Sequence, residues 1–280
     1  MTFLLPPTPH PMMWVVVLGA ALGYAAMTDR RHYPAQVRQR VRFAAAMLLV
    51  VIAWGWPLGD LAQHVSLSAL VVQRLILLLA VAPLLVTSLP DDLVAAMSRP
   101  RIVDRVVVLV GHPGLAIATV FVVGTTTLLP AVVSWGSANI VQAAIVSAAT
   151  LVLGIVLWLP ILGAAPATRR LSLVAKGGYL IAASLVVTSL SFVWIFASHP
   201  LYPSFSGQSA ILGISPLFDQ QLAGFISKFG AYVPMWAAAF VLFARSGDAQ
   251  TEEPVLRWVD VERELERADR RAAVVANARR

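Results

Sequence analysis

Three adjacent polar residues, Asp219, Gln220 and Gln221, stand just ahead of an apolar run from Phe225 to Phe243. A carboxylate and two carboxamides at the mouth of a hydrocarbon-length segment are costly unless they bind a ligand or one another. The alternative is a helix cap, with Asp219 in headgroup water complementing the positive helix end. Gln73 and Arg74 interrupt a second apolar run, 67–89, and Lys228 lies near the middle of the last one. An arginine at that depth must snorkel to the headgroups or pair with an acid. For Lys228 three roles stay open: loss of its charge by desolvation, contact with backbone carbonyls, or a partner subunit. His10, Met12 and Met13 are donor types that copper accepts, although one imidazole and two thioethers do not complete a site. His64 reads as a solvated interfacial residue, and His112-Pro113 and His199-Pro200 read as a helix kink and a loop start. The chain has no cysteine, which excludes disulfides, thiolate metal sites and cysteine nucleophiles. No nucleophile, imidazole and acid can be assembled at one depth and no phosphate-cradling glycine loop occurs, so no catalytic residue is expected.

The elements that carry these residues follow from composition. Of 280 residues, 59% are hydrophobic and only 12% charged, with a mean hydropathy of +0.78. Charged side chains are too few to cover a soluble surface. Apolar runs at 12–27, 43–56, 67–89, 102–129, 140–162, 178–197 and 217–243 approach or exceed the ~20 residues that cross a bilayer core of about 30 Å. The expected fold is therefore all-α, a polytopic seven-helix membrane bundle. The run 102–129 carries Gly111-His112-Pro113-Gly114 as an internal kink, and 43–56 is the shortest span.

Charge orients the bundle. The connectors holding Arg30 to Arg42, Arg99 to Arg105 and Arg169 to Lys176 are basic, whereas those at 57–66, 130–139 and 199–213 contain no lysine or arginine. That alternation places the N-terminus outside and the C-terminus in the cytoplasm. Asp60, His64, Trp135, His199 and Asp219 then lie toward the outer face. Residues 1–11 form a proline-rich outer segment, 12–244 the membrane domain, and 245–280 a cytoplasmic tail. In the tail, Val255, Trp258, Val261 and Leu265 recur at helical spacing opposite charged residues, which predicts an amphipathic helix. The basic residues are interleaved with hydrocarbon-length spans, so lipids rather than nucleic acid are the expected partners.

Several fragments together resemble one family. Gln73-Arg74-Leu75 leading to Ala82-Pro83-Leu84-Leu85, Trp158-Leu159-Pro160 followed by Pro166, Leu201-Tyr202-Pro203, and above all Ser215-Pro216-Leu217 with Asp219-Gln220-Gln221-Leu222-Ala223-Gly224 are similar to the motifs of CtaG-like cytochrome c oxidase assembly factors. The resemblance covers about 55–244. It implies a multi-pass protein of the bacterial inner membrane that helps mature the copper-containing core of haem-copper oxidases on the outer side. It also implies histidine and methionine ligands at positions that here hold Leu70, Arg74, Ser147 and Ser227, with Thr127-Leu128-Leu129-Pro130 replacing a further histidine before a proline.

No metal ligand set or cofactor is expected from this donor inventory, because Asp219, Gln220 and Gln221 are hard oxygen donors ill-suited to Cu(I). In place of a metal, Arg74 is expected to pair with Asp219. The function expected is a non-catalytic accessory factor that contacts an oxidase subunit, or another respiratory-complex membrane protein, within the membrane. The alternatives are a copper chaperone using His64, His10, Met12 or Met13, and a permanent structural subunit.

Overall fold

The computed structural model describes residues 10–29, 33–162, 171–205 and 209–251. The expected outer segment up to Pro9, the arginines at 30, 31, 169 and 170, Pro166, and the expected amphipathic tail beyond Thr251 lie outside these. Among the described residues the chain is helical throughout, with no strand. Its helices are α1 (Pro11–Met27), α2 (Val37–Trp54), α3 (Leu58–Val65), α4 (Leu67–Ser88), α5 (Asp91–Met97), α6 (Arg101–Val110), α7 (Pro113–Thr126), α8 (Pro130–Gly136), α9 (Ile140–Leu162), α10 (Leu173–Val187), α11 (Ser191–Ile195) and α12 (Pro216–Thr251).

Three of these, α4, α9 and the Pro216–Arg245 part of α12, are each long and apolar enough to cross a membrane. Two bent pairs, α2 with α3 and α6 with α7, raise the number of candidate spans to five, while α1 and α10 are apolar but shorter. Both bends lie where the sequence marked a boundary, at the end of the run 43–56 and at Gly111-His112-Pro113-Gly114. Between α6 and α7 the axis turns by 84°, more than a kink. Pro113 occupies the first turn of α7, where its missing N–H costs nothing, and so begins a new helix. The run 178–197 is also broken. Thr188 and Ser191 turn their hydroxyls back onto the carbonyls of Ser184 and Thr188, an alternative to the helical ladder that separates α10 from α11. At the start of α2, Gln36 and Gln39 form a reciprocal capping box, so this helix begins six residues before the expected Phe43 and carries Arg38, Arg40 and Arg42.

α4 is the centre of the bundle. It contributes Leu67 and Val71 to one buried cluster, Leu78 to a second, and Leu77 and Val81 to a third. Its turn at Ile76–Val81 is widened to a π-helix just before Pro83, where a tight turn would drive the proline ring into the preceding carbonyl. Ala82 N–H then bonds Leu77 O, and Leu78 O would need an N–H from Pro83, which has none. The indole Nε1 of Trp158 on α9 supplies that donor, at 2.9 Å. Gly154, one turn away on α9, lets the two helices meet; a Cβ there would lie 2.6 Å from Ala82 Cβ and 3.1 Å from Leu78 O. Two fragments of the sequence motif, Ala82-Pro83 and Trp158, thus complete each other's hydrogen bonding.

Both ends of α4 are tied to other helices. At its C-terminus, Tyr24 Oη donates to Ser88 O, Gln39 Nε2 to Leu89 O and Arg42 Nη1 to Thr87 O. These donors satisfy carbonyls that the helix cannot, and the arginine charge suits the negative helix end. Its N-terminus meets Asp219.

Candidate functional site

Asp219 lies in the first turn of α12, set there by Ser215, whose hydroxyl accepts from Phe218 N, and by Pro216 at the helix start. The carboxylate is 1% exposed. Oδ1 accepts from Ser66 Oγ at 2.7 Å, from Ser68 N at 3.3 Å and, very closely, from Ser68 Oγ; Oδ2 accepts from Leu67 N at 2.7 Å. Four donors at the beginning of α4 therefore converge on one acid from α12. The opposite charge is supplied by the orphan N–H groups and positive end of α4. This corrects both expectations for Asp219. It is not in headgroup water, and its partners are α4's first turn rather than Arg74.

Its neighbours fasten the same end of the bundle. Gln220 is also buried, and its Oε1 accepts from Leu201 N at 2.7 Å. Gln221 Nε2 donates to Ala197 O. Between these anchor points Tyr202 donates to Leu128 O at 2.6 Å and accepts from Trp194 Nε1 at 3.0 Å. Burial pushes the Tyr202 hydroxyl up to about 12, against the opposing pull of the Trp194 bond and the Arg74 charge, so it remains a donor at neutral pH. Gly224 closes the motif where α12 crosses α11, since a Cβ would sit 2.8 Å from Ser191 O. The acid, the amide oxygen of Gln220, the amide nitrogen of Gln221 and the glycine each meet another segment of the protein, while Gln220 Nε2 is buried without a protein partner.

Arg74 lies eight residues beyond Ser66, about 12 Å along the helix at 1.5 Å per residue. Its Nη2 donates to Thr127 Oγ1 at 2.7 Å, and its Nη1 is buried without a partner. A cavity of about 490 Å³ is lined by Arg74, Thr127, Leu70, Ser147, Gln73 and Trp54, among others. Three positions to which the sequence resemblance assigns metal donors, Leu70, Arg74 and Ser147, are thus brought to one space, together with Thr127 from the stretch Thr127-Leu128-Leu129-Pro130. Ser227, the remaining position, is buried and lines a smaller space that Arg74 also lines. Gln73 Nε2 donates to Ala53 O, tying α4 to α2. Because Arg74 and Asp219 share no partner, Arg74→Leu and Asp219→Asn should destabilise additively, to within about 0.5 kcal/mol. Unfolding free energies of the two single variants and the double variant in detergent measure this, and a large coupling would restore a direct pair.

Lys228 has contacts that the sequence did not point to. Its Nζ donates to Tyr232 Oη at 2.8 Å and lies 4.0 Å from the Phe192 ring centroid and 4.2 Å from that of Tyr232. A hydroxyl and two aromatic faces thus surround the ammonium nitrogen, an arrangement favourable to a cation. His10 Nε2 lies 3.5 Å from Asp60 Oδ2, and His64 is exposed. Of these contacts, the Ser66–Ser68 cradle escaped sequence reasoning. Its trace is a serine at the cap position immediately before an apolar run, with Ser66 Oγ also accepting from Ala69 N.

A family model for the cytochrome c oxidase caa3 assembly factor (CtaG) matches residues 20–247. The chain belongs to that family. The match extends from α1 through the apolar length of α12, and so includes the Asp219 cradle and the cavity. Comparison with curated proteins and with solved structures found no match. Membership, together with several apolar helices of span length, points to a membrane protein, from a family of assembly factors rather than of catalysts. Copper fits poorly in the cavity. The one imidazole and two thioethers that line it, from His10, Met12 and Met13, share the space with a guanidinium that repels a cation. No cluster of three or more histidine or acidic side chains suited to a metal occurs among the described residues.

Proposed function

We propose that this chain is a multi-pass protein of the bacterial inner membrane that assists assembly of a cytochrome c oxidase-type complex through intramembrane contact, without chemistry of its own and without the family's copper. The observation that carries the reading is the family match over residues 20–247. The apolar exterior supports the membrane setting, with Val15, Leu22, Val122, Phe225 and Phe240 among the large side chains that face outward. α1, α2 with α3, α4, α7, α9, α10 with α11, and α12 make seven spans. The charge alternation of the connectors puts the Asp219 end outside, and α6, turned 84° from α7, then lies along the cytoplasmic face. The metal-free reading is supported by Arg74 in the cavity, since a buried guanidinium beside a Cu(I) ion would be repelled.

A second reading, copper delivery through His10, Met12 and Met13, is favoured by one observation, that all three line the Arg74 cavity. Purification of the tagged full chain from native membranes, with mass spectrometry of what accompanies it, tests both. The expected result is recovery of an oxidase subunit in substoichiometric amount, with copper far below one ion per chain. Stoichiometric recovery with the mature enzyme would make the chain a permanent subunit, and about one tightly held copper per chain would establish the second reading.

A further inference from the structure

The Arg74 cavity is larger than structural packing requires. Its volume of about 490 Å³ falls within the roughly 300–1,000 Å³ of small-molecule sites. Two of its lining residues, Arg74 and Trp54, hold buried donors with no partner in the protein, Nη1 and Nε1 respectively. Buried donors are nearly always paired, and an unpaired guanidinium nitrogen is the more costly of the two. The rest of the wall is mainly apolar, including Val16, Leu70, Val133, Val146 and Leu151. α1 packs on α2, whereas α9 packs on α4, α7 and α8. The wall residues Val16 on α1 and Ile145 on α9 are 42% and 52% exposed, so the cavity gives sideways onto the apolar surface of the bundle.

We infer that this cavity binds a membrane amphiphile, its single oxyanion paired with the Arg74 guanidinium and its hydrocarbon body along the apolar wall. Charge selects the head, because a guanidinium in an apolar space favours an anion over a neutral acceptor. The lateral mouth selects the body, because a small hydrophilic anion would gain nothing from the wall. A fatty-acid carboxylate and a phospholipid phosphate share this chemistry. The inference does not rest on the oxidase reading, and a pull-down that recovers no oxidase leaves it intact.

The full chain in a nonionic detergent is titrated with dibrominated stearic acid, with its methyl ester, and with a phosphatidylglycerol carrying dibrominated chains. The readout is quenching of the tryptophan emission that Trp54→Phe removes. Saturable quenching by the acid is expected, with the ester weaker by about tenfold or more, as the loss of a charged hydrogen bond implies. Arg74→Gln should weaken the acid to the level of the ester and leave the ester unchanged. Saturation by the phosphatidylglycerol alone would assign the oxyanion to a lipid phosphate. Equal quenching by acid and ester without phosphatidylglycerol saturation, or saturation by none of the three, would overturn the inference. The acid–ester comparison needs no variant, so it stands even if Arg74→Gln does not fold.

Discussion

Asp219→Ala is expected to destabilise the protein by about 3–5 kcal/mol, the larger of the two main effects predicted for single substitutions. The carboxylate is 1% exposed and receives the backbone N–H groups of Leu67 and Ser68 together with two serine hydroxyls. Its removal strands both N–H groups in the interior, at about 1–3 kcal/mol each. The hydroxyls suffer less, because Ser66 Oγ and Ser68 Oγ are 2.8 Å apart and can bond each other. The positive end of α4 also loses its counter-charge. Asp219→Asn, which keeps one acceptor oxygen but turns an amide N–H₂ toward donors, should cost about half as much. Unfolding free energies measured in micelles provide the check. An alanine variant within about 1 kcal/mol of the unaltered chain would show that the α4–α12 junction is held by packing alone.

Gly224→Val is expected to cost about 3 kcal/mol and to loosen α12 from α11. A Cβ at this position would lie 2.7 Å from Ile195 Cγ1, 2.8 Å from Ser191 O and 3.1 Å from Ile195 N. The first of these atoms can move with its side chain, but the other two are backbone and move only with the helix. The displacement would pull on Gln220 and Gln221, whose bonds to Leu201 and Ala197 span the same junction. Gly178→Ala on α10 is the control, since a Cβ there meets nothing within 4 Å. It should be neutral or stabilising by up to about 1 kcal/mol, the helix-propensity difference. Thermal unfolding of both variants in the same detergent compares them directly. Equal stability of the two would mean that α11 yields without cost.

The central junctions of the bundle satisfy polar groups with polar groups from other helices. Leu78 O, deprived of its donor by Pro83, is met by Trp158, and the α4 N-terminus is met by Asp219. In an apolar surrounding each such match is worth more than its hydrogen bond alone, because the unmatched group has no water to turn to. The family motifs accordingly act as joints between helices. The space the joints enclose is where this chain differs from the resemblance, with a guanidinium at Arg74 among Leu70, Thr127 and Ser147.

Taken alone, the amino-acid sequence determined the helical class, the apolar runs and the family. Residues 140–162 and the start of α4 at Leu67 were placed where the helices occur. These properties are local: hydropathy and proline act through side chains a few residues apart, so their order in the chain is enough to read them. Proline also signalled the break at 111–114, although not its 84° angle, which depends on what α6 and α7 pack against. Only the tertiary structure decided which groups partner Asp219 and Arg74. An acid and a base are obvious partners by residue type, but every residue carries a backbone N–H, and sequence does not mark which of them a helix end leaves unpaired beside a distant carboxylate. Folding carried Asp219 to the first turn of α4 and left Arg74 beside Thr127 at the edge of a cavity, because the positive end of a helix is an anion site that no side-chain inventory records.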